Sequence, residues 1–266
     1  MDGLDVFEAL YRELSDLRSE LASLFEELEF VNRFLIPRAQ TSYLIKVGAL
    51  RVELLQTQLH VMKTRRRIAL LRSNIDNGEM MFDDSINDRM EAEFSDWDSR
   101  LAHEVSQIER AKARFSSLAP TEDESEVRKI FRVLCRKFNP EINPDQSDEA
   151  KSFWPNVYSA YTEGDLFHLK ALLLMSDDYP DNYDLPCNIS AMRESKSALK
   201  EKIRREKSQL RNARAHPAFE WLDLLRDGKR LASEQNRLRD EITRIKAQLV
   251  ALLDMQKSLE PRGARS

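Results

Sequence analysis

A chain of 266 residues with 33% charged and 8% aromatic positions, but only six Gly and nine Pro, has too few turn residues for a sheet-rich fold; it reads as all-α, built from long helices. Its 42 Lys and Arg nearly balance 46 Asp and Glu, so a formal net charge of −4 gives no overall attraction to nucleic acid. Cys135 and Cys187 lie far apart and set no disulfide framework, and no apolar run approaches a membrane span. The acidic start Met1-Asp2-Gly3-Leu4-Asp5 is unlike a signal peptide, so the expectation is a cytoplasmic protein with no membrane association.

The first helix is marked by Leu4, Phe7, Leu10, Leu14, Leu17, Leu21, Leu24, Leu28, Val31 and Leu35, a heptad seam expected to end at Pro37. A second runs from about Thr41 to Ile75, with Val47, Leu54, Val61 and Ile68 every seventh residue and Asn77-Gly78 closing it. Asp83, Asp84 and Asp88 open a third, where acids suit the helix dipole. Its seam is Ile86, Met90, Phe94, Trp97, Leu101, Val105, Ile108 and Phe115. None of the three hides its stripe alone, so folding back on one another, or self-association, is expected.

Pro120 and Thr121 end this first region, and Thr121 stands at capping-box spacing from Glu124. From Glu124, the residues Val127, Ile130, Phe131, Leu134 and Phe138 form one apolar helix face, while Arg128, Lys129, Arg132, Arg136 and Lys137 make the same helix basic. Pro140 and Pro144 force a turn. An aromatic helix with Phe153, Trp154, Val157, Tyr158 and Tyr161 follows, then Gly164 as C′, Asp165 as N-cap and a short third helix to Met175.

This stretch resembles a J domain, the module by which DnaJ-type co-chaperones engage DnaK-type ATPases. Arg128 to Phe138 matches the basic second helix of the family, Ile142-Asn143-Pro144-Asp145 the flank of its loop, and Tyr158-Ser159-Ala160-Tyr161 its aromatic patch. The His-Pro-Asp triplet of the family is here Asn139-Pro140-Glu141, and no first helix is found just upstream. The resemblance implies a protein partner bound through Arg128, Lys129, Arg132, Arg136, Lys137, Asn139, Pro140 and Glu141. The loop apex carries no evident packing duty, which adds to that expectation. With its coiled coils the arrangement also resembles poorly characterised bacterial J-domain-containing proteins.

Residues 176–189 read as a linker, and 190–260 as a C-terminal helical hairpin or coiled coil interrupted at His216-Pro217. Its last seam is Leu231, Leu238, Ile242, Ile245, Leu249 and Leu252, before a basic tail at 261–266. The division in sequence is therefore 1–116, 121–175, 176–189 and 190–260.

Catalytic chemistry has little to stand on. His60, His103, His168 and His216 are scattered, no Gly-rich phosphate loop exists, and the acids from Asp83 to Asp98 lack the spacing of a calcium hand. No catalytic residue, metal or cofactor is assigned. Lys63-Thr64-Arg65-Arg66-Arg67 with Arg72 is the densest basic run, yet consecutive residues spread around a helix and no aromatic stands ready to stack a base. The leading expectation is a non-enzymatic interaction or scaffold protein with a degenerate docking unit. A co-chaperone recruiting a DnaK-type ATPase, and a nucleic-acid-associated scaffold, are the alternatives.

Overall fold

Proline at position 37 does not stop the first helix. In the computed structural model, which describes residues 3–77, 83–115, 123–144, 146–179 and 188–259, the backbone is helical from Gly3 to Asn77. The run comprises α1 (Gly3–Phe30), a π-helical segment (Val31–Leu35), α2 (Ile36–Tyr43), a second π segment (Leu44–Gly48) and α3 (Ala49–Asn77). The amide of Ile36 bonds to the carbonyl of Val31, five residues back. Widening the turn just before Pro37 relieves both the missing N–H and the clash of its ring with the preceding turn. The expected stop at Pro37 is thus corrected: the helical backbone runs through that residue.

The remaining elements are α4 (Asp83–Arg114), α5 (Glu124–Phe138), α6 (Asp148–Glu163), α7 (Leu166–Met175) with a 3₁₀ turn (Ser176–Asp178), α8 (Ile189–Arg214), α9 (Ala218–Arg226) and α10 (Gly228–Leu259). The fold class is all-α, with no strand among the described residues. Nor is any described helix long and apolar enough to cross a membrane. Met1, Gly78, Thr121, Asp145, Cys187 and the tail at 261–266 lie outside the described residues.

Two compact units divide the chain, and they cut across the sequential segments: residues 1–37 join 118–219, and 38–117 join 220–266. In the first unit α8 lies along α1. Their ion pairs advance together, Glu13 with Lys196, Glu20 with Lys207 and Glu27 with Arg214, so the two helices are parallel. Between them lies one apolar seam of Leu10, Leu14, Leu21, Met192, Leu199 and Ile203. Of the segment 190–260, α8 belongs to this unit and α10 to the other.

Helices α5, α6 and α7 surround the tightest core. Phe131 stacks on Tyr161 with centroids 3.7 Å apart, and Phe138 on Phe153 at 4.8 Å, so α5 and α6 are antiparallel. The Ser147 hydroxyl accepts from the Ala150 amide to cap α6, Gly164 ends it at φ +70°, and Asp165 accepts from the His168 amide at 2.9 Å to cap α7. Gly164 and Asp165 take the cap positions that the residue pattern calls for. For α5, Asp123 holds the N-cap position, with no side-chain hydrogen bond.

In the second unit α10 runs parallel to α3, with Gln235 donating to the Lys46 carbonyl at 2.8 Å and Lys246 pairing with Glu53 at 2.6 Å. Tyr43 stacks on Trp221 at 4.7 Å at one end of this pair. Helix α4 returns antiparallel along α3, through Lys63–Asp98 at 2.7 Å and Arg66–Glu93 at 2.6 Å.

Candidate docking surface

The basic face of α5 is met by the chain's own first helix. Glu26 of α1 is fully buried, its Oε1 accepting from Arg128 Nε at 2.5 Å and its Oε2 from Arg132 Nη2 at 3.0 Å. A carboxylate without water is tolerable only with such partners. The Arg128 guanidinium also lies over the Phe30 ring, 3.8 Å from its centroid. One turn further along α5, Arg136 donates to Ser15 Oγ at 2.8 Å, and Lys137 donates to the Ser176 carbonyl at the end of α7. Lys129 is exposed. The predicted cations therefore share one helix, while four of them already hold partners within the chain.

Helix α1 and the π segment that follows it also pack against α6. Phe25 meets Trp154 edge-on at 5.9 Å and Phe34 meets Tyr161 at 5.7 Å. Glu29 accepts from the Tyr158 hydroxyl at 2.8 Å and from Arg33 Nε at 2.6 Å. A helix about a hundred residues upstream thus completes a core that the local sequence leaves open. The signal was available: Phe25, Phe30 and Phe34 are apolar positions off the heptad seam, so α1 needs a second buried face.

The loop is built around buried amides. Asn139 is 1% exposed; its Oδ1 accepts from the Glu141 amide at 2.8 Å and its backbone carbonyl accepts from Ile142 at 3.0 Å and Asn143 at 2.9 Å. Asn143 Nδ2 donates to the Arg136 carbonyl at 2.6 Å, and Gln146 Nε2 to the Phe138 carbonyl at 2.9 Å. These side chains satisfy carbonyls left over at the end of α5. The apex was expected to be free of packing duty; Asn139 is instead a structural residue, and the Asx-turn chemistry of an Asn two residues before Glu141 explains it. Pro140 is half-buried and Glu141 exposed, its carbonyl accepting from Lys202 of α8.

Cys135 lies beneath this loop, fully buried, and burial pushes its thiol up to about 12. Neutral at ordinary pH, it is a packing residue rather than a nucleophile. Burial also raises the Tyr161 phenol. Among the described residues no group of three or more His, Cys, Asp or Glu is placed to hold a metal ion. An open groove of about 620 Å³ between α1 and α8 is walled by Val6, Ala9 and Leu10 on one side and Arg193, Lys196 and Lys200 on the other.

The basic run on α3 has local partners too: Lys63 and Arg66 pair with Asp98 and Glu93, and Arg67 donates to Asn87 Oδ1 at 2.7 Å. It staples α3 to α4. No protein-family model, curated protein or solved structure matches the chain.

Proposed function

We propose that this is a non-enzymatic interaction or scaffold protein, in which a degenerate J-like unit is built into a larger helical body and serves as a docking element. The observation that carries this reading is Glu26, a fully buried carboxylate of the chain's own α1 set between Arg128 and Arg132. A face that a co-chaperone would offer to its ATPase is here used to hold two segments of one chain together. Asn139 supports the same reading, because its buried side chain shapes the turn where the J-domain family has an imidazole. The long helices serve as arms for assembly, in a cytoplasmic setting and with no membrane contact.

A co-chaperone recruiting a DnaK-type ATPase is the second reading, and one observation favours it: Glu141 keeps an exposed carboxylate at the loop apex. The nucleic-acid scaffold loses ground, since three cations of its basic run are engaged with α4.

The test is single-turnover ATP hydrolysis by DnaK-type chaperones with this protein in excess, beside an Asn139→His, Glu141→Asp double variant. The expected result is no stimulation by the unaltered chain. Stimulation by the unaltered chain would transfer the conclusion to the co-chaperone.

A further inference from the structure

Helix α7 is apolar nearly all round, Leu-Phe-His-Leu-Lys-Ala-Leu-Leu-Leu-Met, yet only Leu169 and Leu172 are buried. A helix of that composition normally has cover on every side. Here Phe167 is 85% exposed and Leu174 73%, far beyond what scattered surface residues show, and with Ala171 they form one stripe at i, i+4 and i+7.

Helix α5 adds to that stripe. Glu126, Val133 and Lys137 share one line of α5 at i, i+7 and i+11, and both its ends touch α7: Glu126 pairs with Lys170 at 2.9 Å, and Lys137 donates to the Ser176 carbonyl. Val133 lies between those anchors along α5 and is 52% exposed. The patch of Phe167, Leu174 and Val133 is bounded on α5 by Lys129 and Lys137, four residues to either side of Val133. Of the acids nearby, Glu126 is paired with Lys170, Asp165 caps α7, and Asp177 lies beyond its last turn.

We infer that this outer face of α5 and α7 docks an amphipathic helix of a partner protein, with apolar residues at helical spacing set in an acidic face. The apolar stripe supplies anchors, and the lysine border selects the sign of the partner's charge. The inference rests on the interaction-protein reading, and moves the docking surface away from the face that α1 covers.

The probe is a fluorescein-labelled peptide of about 18 residues with Leu at i, i+4, i+7 and i+11 and Glu elsewhere, read by anisotropy against the full chain, beside the same peptide with Lys for Glu. The acidic peptide should bind, the basic one should not. Phe167→Ala with Leu174→Ala should weaken binding about tenfold or more, and Lys129→Glu about threefold. Both substitutions lie on the surface and favour helix, so circular dichroism should be unchanged. No binding of the acidic peptide, equal binding of the basic one, or binding indifferent to the Ala pair would overturn the inference. So would self-association, or binding to phosphatidylserine vesicles, that the Ala pair alone abolishes, since a second copy or a lipid surface would then be the occupant. ATPase stimulation by the unaltered chain would sink the non-chaperone reading while leaving the peptide result intact, so the two failures are told apart.

Discussion

The two units bury their apolar residues to different degrees, although both are made of long helices. In the first, Phe131, Leu134, Phe138, Val157, Tyr161 and Leu169 have no exposed surface. In the second, the regular seam of α10 is buried only at Leu238 and Ile242, while Ile245, Leu249 and Leu252 stay half-covered and Trp97 and Val105 of α4 are exposed. Helices meeting along single lines leave the flanks of each stripe in water, whereas α5 is enclosed by α1, α6 and α7 together. Stability should therefore be concentrated in the first unit.

The sharpest way to break that comparison is a pair of truncations. Phe131→Ala removes a fully buried ring stacked on Tyr161 and should cost about 3–5 kcal/mol, while Leu249→Ala in the half-covered seam should cost about 1 kcal/mol. Denaturant unfolding followed by Trp fluorescence, with hydrogen exchange to locate the change, measures both. Equal costs would mean that the two units are equally well packed.

Ion pairs should divide the same way. Glu26→Ala leaves Arg128 and Arg132 without their shared carboxylate, and since both guanidinium groups retain access to water the expected cost is about 2 kcal/mol, below the full cost of an orphaned buried charge. Glu93→Ala breaks a pair that is one-third exposed on each side and should cost far less. Salt should erase the second loss and spare most of the first.

A third difference is in pH. The Cys135 thiol is raised from 9.0 to about 12 by burial, so the folded state holds the proton more tightly than the unfolded one. The stability this represents is fully present below pH 9 and is lost as pH rises from 9 towards 12, amounting to about 1 kcal/mol by pH 10. Cys135→Ala should flatten that alkaline slope. In a Cys187→Ser background the remaining thiol should react with a disulfide reagent only at the rate of unfolding.

Much of this fold is legible in the residue pattern, because helical periodicity and caps are local. The seams of α1 and α10, the cap residues Gly164 and Asp165, and the turn between α5 and α6 all follow from spacing and turn chemistry. Pairings of stripes are a different matter. Leu10, Leu14 and Leu21 state that a face must be covered, and nothing local says that the cover is Met192, Leu199 and Ile203 running parallel. Pro37 misled for a related reason, since a π turn can absorb a proline that an α turn cannot. Of the candidate site, the α5 cations were legible as a group. Their occupation by Glu26 and Ser15 was not, because it depends on a tertiary pairing about a hundred residues apart. Phe167 and Leu174 belong to an apolar run, and the packing leaves both exposed.

The smallest effect comes from two glycines, one in each unit. Gly164 ends α6 at φ +70°, a left-handed conformation in which a Cβ crowds its own backbone even though no neighbour lies within 4 Å of it. Gly164→Ala should therefore destabilise the first unit by about 1 kcal/mol, a strain that no repacking of side chains can relieve. Gly228 opens α10 directly after Asp227, whose carboxylate accepts from the amides of Lys229 at 3.0 Å and Arg230 at 3.1 Å. Its backbone is in an ordinary region, and a Cβ there would meet open space. Alanine should thus narrow the unfolded ensemble without straining the fold, stabilising the second unit by about 0.5 kcal/mol. Thermal unfolding of the two variants would decide it: shifts of opposite sign follow from backbone conformation alone, and shifts of the same sign would mean that one of these two helix ends is not formed as described.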